Sequence, residues 1–376
     1  MRQRLTRIEV PDAAAAEERA LRVVRAAFAL REPVADRRRG RRPALALLAA
    51  AALVGAAFTP PGRAVVDEVR EVVGVERAQP ALFRLPGPGL LLVRGDGGTW
   101  IVRPNGARRR LGVYREASWS PFGKFVVATR PNELRALEPG GGVRWSIARP
   151  APRFPRWTGS PTDTRIAYTD RSGLRIVEGD GEGDRLIAPA QTGPIAWRSG
   201  SLRELAYVSA SEVRVQDIET GRIRWRRSRG LDEPVRSLVW SSDGERLLVR
   251  SEHALRIFDG RGRLVARDDP SDGTIDAGAV FLPGSHSVAV LRVHGAQSTV
   301  FMLGTGRTVF SGPGRFGELV VSPDGRWLLV TWPAADQWVF VRLDGPRGIR
   351  AASSISAQFD SRGFPRVEGW CCPDVV

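Results

Sequence analysis

At 376 residues, with 42% hydrophobic side chains, 41 Gly and 27 Pro, the chain can bury a core yet is rich in the residues that punctuate strands with tight turns. The formal charge of +16 is carried almost wholly by arginine, Lys124 being the only lysine, and the arginines are spread over strands and loops alike. That spread reads as a coding bias and argues against a nucleic-acid footprint, while two cysteines exclude a disulfide scaffold.

Residues 12–31, DAAAAEERALRVVRAAFALR, are expected to form a helix. Asp12 can cap it, Glu17 and Glu18 lie early, and Arg22, Arg25 and Arg31 lie late, matching the helix dipole. Leu21, Val24 and Phe28 fall at i, i+3 and i+7 and give one apolar stripe. It suits either a membrane surface or the docking of a partner.

Five arginines, Arg37, Arg38, Arg39, Arg41 and Arg42, precede an uncharged stretch over 43–61. Seventeen helical residues at its heart reach about 25 Å, at the short limit for a hydrocarbon core of about 30 Å. Residues 1–42 hold twelve Arg against six Asp or Glu, so the positive-inside rule places this arm in the cytoplasm and everything after Pro61 outside. A cleaved leader ending near Gly55, Ala56 and Ala57 is the competing reading. Residues 62–79 follow as a juxtamembrane helix or linker, with Val65, Val69, Val72 and Val73 on one face.

From residue 80 to 376 the chain repeats itself with a period of about forty. The clearest copies are WSPFGKFVVA from Trp119, WSSDGERLLV from Trp240 and VSPDGRWLLV from Val321. Weaker copies begin at Trp157, Trp197 and Phe281. Each ends one strand, makes a Pro/Asp/Gly/Ser turn and starts an apolar strand. A second turn series interleaves: PNG at Pro104, PGGG at Pro139, GDGEG at Gly179, ETG at Glu219, DGRG at Asp259, GTG at Gly304 and LDG at Leu343. Two turns and a link per repeat make a four-stranded blade, so an all-β propeller of seven blades is expected. Six or eight blades stay open, because the copies near Trp157, Phe281 and Phe359 are weak. A terminal strand near Ile355 to Phe359 is expected to complete the first blade and close the ring. Trp119, Trp157, Trp197, Trp240, Phe281 and Val321 are then packing positions between blades, whereas Trp100, Trp145, Trp225, Trp332 and Trp338 are less tied to the turn and can line a face.

WSSDG and VSPDG before an apolar strand resemble the WD-repeat-like propeller motif of TolB-type periplasmic proteins, over roughly residues 80 to 370. The resemblance implies a protein-binding platform without naming the partner. The layout of a helical arm, one span and an external domain also resembles transmembrane anti-sigma-factor-type regulators. That likeness implies a sigma-factor-like regulator as cytoplasmic partner, although no HxxxCxxC zinc motif is present.

Catalytic chemistry is not apparent. No GxSxG elbow occurs, and His253, His286 and His294 are assigned to different repeats without metal-ligand spacing. Asp180, Glu182 and Asp184 mimic the start of a calcium loop, but Gln191 stands where the closing glutamate belongs. Asp268, Asp269, Asp272 and Asp276 form a second acidic loop that reads as a solvated linker. Adjacent Cys371 and Cys372 lie below the usual Cα separation of a disulfide and read as a tail-packing pair. The expected function is a non-catalytic, membrane-anchored, extracytoplasmic propeller that binds a protein or envelope ligand and signals through helix 12–31, with no cofactor, metal or nucleic acid. The alternatives are an exported propeller enzyme, a lyase or hydrolase working from the central channel, and a cleaved exported binding module.

Overall fold

A computed structural model describes residues 84–160, 162–190, 193–228, 233–271, 273–345 and 348–372. The helix expected over 12–31, with Leu21, Val24 and Phe28, the stretch 43–61 and the segment 62–79 lie outside the described residues. Among those described, no helix is long and apolar enough to cross a membrane.

Blade 1 takes β1 (Leu90–Gly95), β2 (Gly98–Val102) and β3 (Arg108–Gly112). Blade 2 is β4 (Glu116–Trp119), β5 (Val126–Arg130), β6 (Glu133–Leu137) and β7 (Val143–Ala148). Blade 3 is β8 (Arg153–Gly159), β9 (Thr164–Asp170), β10 (Gly173–Glu178) and β11 (Arg185–Pro189). Blade 4 is β12 (Ile195–Trp197), β13 (Glu204–Ser209), β14 (Glu212–Asp217) and β15 (Ile223–Arg227). Blade 5 is β16 (Ser237–Trp240), β17 (Arg246–Arg250), β18 (Leu255–Asp259) and β19 (Leu264–Asp268). Blade 6 is β20 (Thr274–Phe281), β21 (Val288–His294), β22 (Gln297–Met302) and β23 (Thr308–Pro313). Blade 7 is β24 (Leu319–Val321), β25 (Trp327–Trp332), β26 (Gln337–Arg342) and β27 (Ile349–Ser353). A short helix α1 (Ile355–Gln358) follows, and β28 (Arg366–Cys371) returns to blade 1. These are seven four-stranded antiparallel sheets.

The innermost strands touch in the cyclic order β28, β4, β8, β12, β16, β20, β24 and back to β28, enclosing a central channel. The second strand of each blade is covered on both faces by neighbouring blades. That is why it reads as an unbroken apolar run, such as Val126 to Ala128, Leu247 to Val249 and Leu328 to Val330, all buried. The turn between first and second strands is held by its serine. Ser241 Oγ donates to Asp243 (2.6 Å) and accepts from the Arg246 N–H (2.9 Å), and Ser322 does the same with Asp324 (2.5 Å) and Trp327 (2.9 Å). This is the physical content of the SxDG copies. All seven members of the second turn series connect the third and fourth strands of their blades.

The ring closes at a different place from the one expected. Residues 355–358 are helical, and the strand that completes blade 1 is β28, pairing with β1 from Leu90↔Cys371 to Arg94↔Arg366. Ile355 and Phe359, four apart and both 0% exposed, fit one helical face better than a strand. Phe359 packs on Trp338 and Trp100, with ring centroids 5.3 Å and 6.0 Å apart. β28 escapes the repeat pattern because a bulge between its pairs with Leu92 and Val93 breaks its alternation, and because its partner β1 lies far away in the sequence. In blade 1 no turn joins the first and second strands, because β28 ends at Cys371 and β1 begins at Leu90. Cys371 and Cys372, expected as a packing pair, are bonded to each other there, with Cα atoms 3.7 Å apart.

Each repeat aromatic or aliphatic residue sits at or near the end of an innermost strand and joins a separate apolar cluster: Trp119, Trp157, Trp197, Trp240, Phe281 and Val321. Trp225 and Trp338 are buried rather than lining a face, at 7% and 0% exposure. Trp145 and Trp225 occupy equivalent fourth-strand positions and reach the next blade. Their indole N–H groups donate to Gly179 O (2.8 Å) and Gly260 O (3.2 Å), beneath the turns at Gly181 and Gly262.

The packing at Gly262 gives a discriminating pair of substitutions. A Cβ there would come within 2.6 Å of Trp225, on a backbone with φ +78°, whereas Gly221, with φ +71°, has open space around it. Gly221→Ala should cost about 1 kcal/mol from backbone strain alone, and Gly262→Ala about 2 to 4 kcal/mol because overpacking adds to it. Urea unfolding of both variants checks the ranking; equal losses would remove the Trp225 staple from the account.

Candidate functional site

The most distinctive surface of a closed ring is its channel, because residues from all seven blades converge there. Aligning the innermost strands on their repeat residue places Ser118, Arg156, Ala196, Val239, Val280, Val320 and Gly369 in one layer, each paired with a fully buried residue of its blade's second strand. Six of these are small or apolar. Only Arg156 carries a charge, and it is exposed.

One channel mouth lies at the starts of the innermost strands and is laced by arginine–carboxylate pairs. Arg153 on β8 reaches Glu116 on β4 (3.2 Å), and Arg366 on β28 reaches Glu318, the residue before β24 (2.9 Å). Arg94 holds Glu368 within blade 1 (2.7 Å). Glu116 also accepts the Phe154 N–H, and Glu318 accepts the Thr331 hydroxyl (2.9 Å). Near blades 5 and 6, Arg250 donates to Ser237 Oγ (3.2 Å) and Asp276 O (2.7 Å). Burial pushes the Arg250 guanidinium below its ordinary pKa, opposed by Asp276.

Burial likewise lowers the Arg156 pKa, with Glu368 and Glu116 opposing the shift. The side chain has lumen in front of it and protein around it, so it is open to water yet poorly solvated. No carboxylate stands within ion-pair distance of it among the described residues, and its recorded side-chain hydrogen bond runs to Pro155 O (2.9 Å). Arg156 was not singled out from the sequence. Its signal is the residue before each repeat aromatic, where arginine interrupts serine, alanine and valine.

Both acidic loops pair with arginine. Asp184 receives Arg149 from blade 2, Arg175 (3.1 Å) and the Tyr168 hydroxyl (2.9 Å). Asp276 and Asp268 both receive Arg292, and Asp269 pairs with Arg256 (2.5 Å), while Asp272 lies outside the described residues. Burial raises the Asp276 pKa, with Arg292 opposing. Among the described residues, no group of three or more His, Cys, Asp or Glu is placed to hold a metal ion.

The histidines do not meet. His286 and His294 share blade 6, contrary to the assignment of all three to different repeats, and flank opposite ends of β21. His253 faces Glu233 (2.8 Å) and His294 faces Thr274 (2.7 Å), neither on an innermost strand's channel layer.

The fold and the ring geometry define a seven-bladed β-propeller. The chain is similar to the solved C-terminal WD40 domain of Sif2, at 14% identity over 71% of this chain and 83% of that one, with a TM-score of 0.53. It is also similar to KlHsv2 with loop 6CD replaced by a Gly-Ser linker, at 12% identity over 70% and 93% of the two chains and the same TM-score of 0.53. No protein-family model matches the chain, and no curated protein matches it.

At the opposite mouth, the turn of blade 5 meets that of blade 6 through Asp243 and His286 (2.7 Å) and through Ser242 Oγ, which accepts the Gly284 N–H (3.0 Å). The Ser241 hydroxyl, the Glu245 N–H and His286 hold the Asp243 carboxyl well below the usual carboxylate range. A depressed carboxylate contributes stability that is present above its unfolded pKa, about 3.9, and is lost as pH falls through the folded value. Urea midpoints should therefore drop more for the native chain than for Asp243→Asn as pH falls below about 4, so that the gap between the two curves narrows steadily toward the acid end. Parallel curves would show that the turn contributes nothing to acid sensitivity.

Proposed function

We propose that the chain is a membrane-anchored, extracytoplasmic propeller that binds a protein or cell-envelope ligand and has no catalytic role. Residues 43–61 act as its single span, the arm 1–42 lies in the cytoplasm, and Leu21, Val24 and Phe28 dock a sigma-factor-like regulator there. The observation that carries the binding role is the channel mouth, where the starts of the innermost strands bring arginine–carboxylate pairs from blades 1, 2, 3 and 7 together on a closed ring. Propellers of this type supply such a face without needing a reactive centre, and its chemistry is set by loops rather than by the fold. The anchor and the orientation are supported by the uncharged stretch and by the twelve arginines against six acids before it.

The full chain with a C-terminal tag, expressed in bacteria and followed in intact spheroplasts, tests this directly. The expected product is full length, membrane-associated and digested by external protease down to a protected amino-terminal fragment of about 60 residues. A shortened soluble product would replace the anchor with a cleaved leader, and a product protected from external protease would overturn the orientation. Deleting residues 1–42 should leave the propeller folded and abolish any effect on the cytoplasmic regulator.

A further inference from the structure

We propose that the channel layer at Arg156 is a binding site for a small oxyanion, a carboxylate or phosphate group held by the guanidinium fork. The proposal does not depend on the membrane anchor or on a protein partner.

The charges around the site leave one excess positive charge. Glu116 is engaged by Arg153 and the Phe154 N–H, and Glu368 is engaged by Arg94. Two carboxylates thus have two arginines of their own, and Arg156 is the third arginine among the five groups. The two carboxylates oppose the burial effect at Arg156 without pairing with it. Leaving a partly desolvated guanidinium with one backbone carbonyl as its recorded partner is unfavourable, and an anion arriving through the lumen would relieve it.

Arginine is suited to this ligand because its planar donors match a carboxylate or phosphate edge bidentately. The remainder of the layer offers little competition. Ala196, Val239, Val280, Val320 and Gly369 bring no charge, and Ser118 on the adjacent blade adds a hydroxyl that can donate a further hydrogen bond. Water reaches the layer, since every residue of it except Ala196 is at least partly exposed.

The probes are succinate and inorganic phosphate, added to the full-length protein at matched ionic strength against chloride, with thermal unfolding followed by tryptophan fluorescence. The native chain should show a saturable rise in midpoint, about 2 °C when the anion is at ten times its Kd. Arg156→Gln should lose the rise, and Arg109→Gln, an exposed arginine on the outer strand β3, should keep it. Without anion, Arg156→Gln should unfold at the same or a higher temperature than the native chain, since an unpaired charge has been removed. If that variant fails to fold, Arg156→Lys takes its place and should bind at least roughly fivefold more weakly, because lysine keeps the charge but loses the fork. No saturable rise in the native chain, an equal rise in Arg156→Gln, or undiminished binding in Arg156→Lys would overturn the site.

Discussion

Everything in this ring depends on the pairing of its two ends. β1 near the start of the described chain and β28 at its finish share one ladder, so the innermost strand of blade 1 arrives only when the last residues are in place. Without that strand, β1 would present an open edge and blades 1, 2 and 7 would lose a shared neighbour. Val367 and Trp370, 5% and 8% exposed, drive the closure by burying apolar surface against blades 1 and 7, worth on the order of 2 kcal/mol each. The channel, its mouth and the lone charge of its layer all follow from the circle being closed.

Arginine is the second material of the structure. Arg149 bridges blade 2 to blade 3, Arg165 bridges blade 3 to blade 4, and Arg198 bridges blade 4 to blade 5. Arg198 shows the pattern fully: it donates to Gly244 O (2.7 Å), holds Glu204 (2.6 Å) and Glu245 (3.1 Å), and lies over the Trp240 ring at 5.4 Å. Long side chains suit this work, since their stems cover apolar surface while their heads reach acceptors on the next blade. Isolated surface ion pairs contribute little, but arginines that also satisfy turn carbonyls fix the angle between blades. Part of the strongly basic composition is therefore structural, and Arg156 is informative because it is the one charge in the channel layer.

The blade plan was legible in the residues. Turn chemistry at Ser241 and Asp243, or at Ser322 and Asp324, is local, and local rules suffice to read it. The seven second-series turns were equally plain, since a glycine-bearing tight turn needs no distant partner. What stayed hidden was non-local. Asp184 could be denied a cation from the sequence, but not assigned its partner Arg149, which arrives from the neighbouring blade, and Trp225 looked free to line a face until the next blade's Gly262 turn covered it. The closing strand was misplaced because Ile355 and Phe359 are apolar enough for a strand, while β28 carries a bulge that obscures its period. The candidate site fell in the same gap: Arg156 has no motif of its own, and its meaning appears only when six other strands are set beside it.

The closure is most directly tested by amide hydrogen exchange followed by mass spectrometry on the full-length protein. If the ends are paired as described, peptides covering Leu90–Gly95 and Arg366–Cys371 will be protected to the same degree as the innermost strands of blades 2 to 7 and will open together with them. Rapid exchange in Arg366–Cys371, with protection retained in the remaining innermost strands, would contradict a ring held shut by its own chain ends.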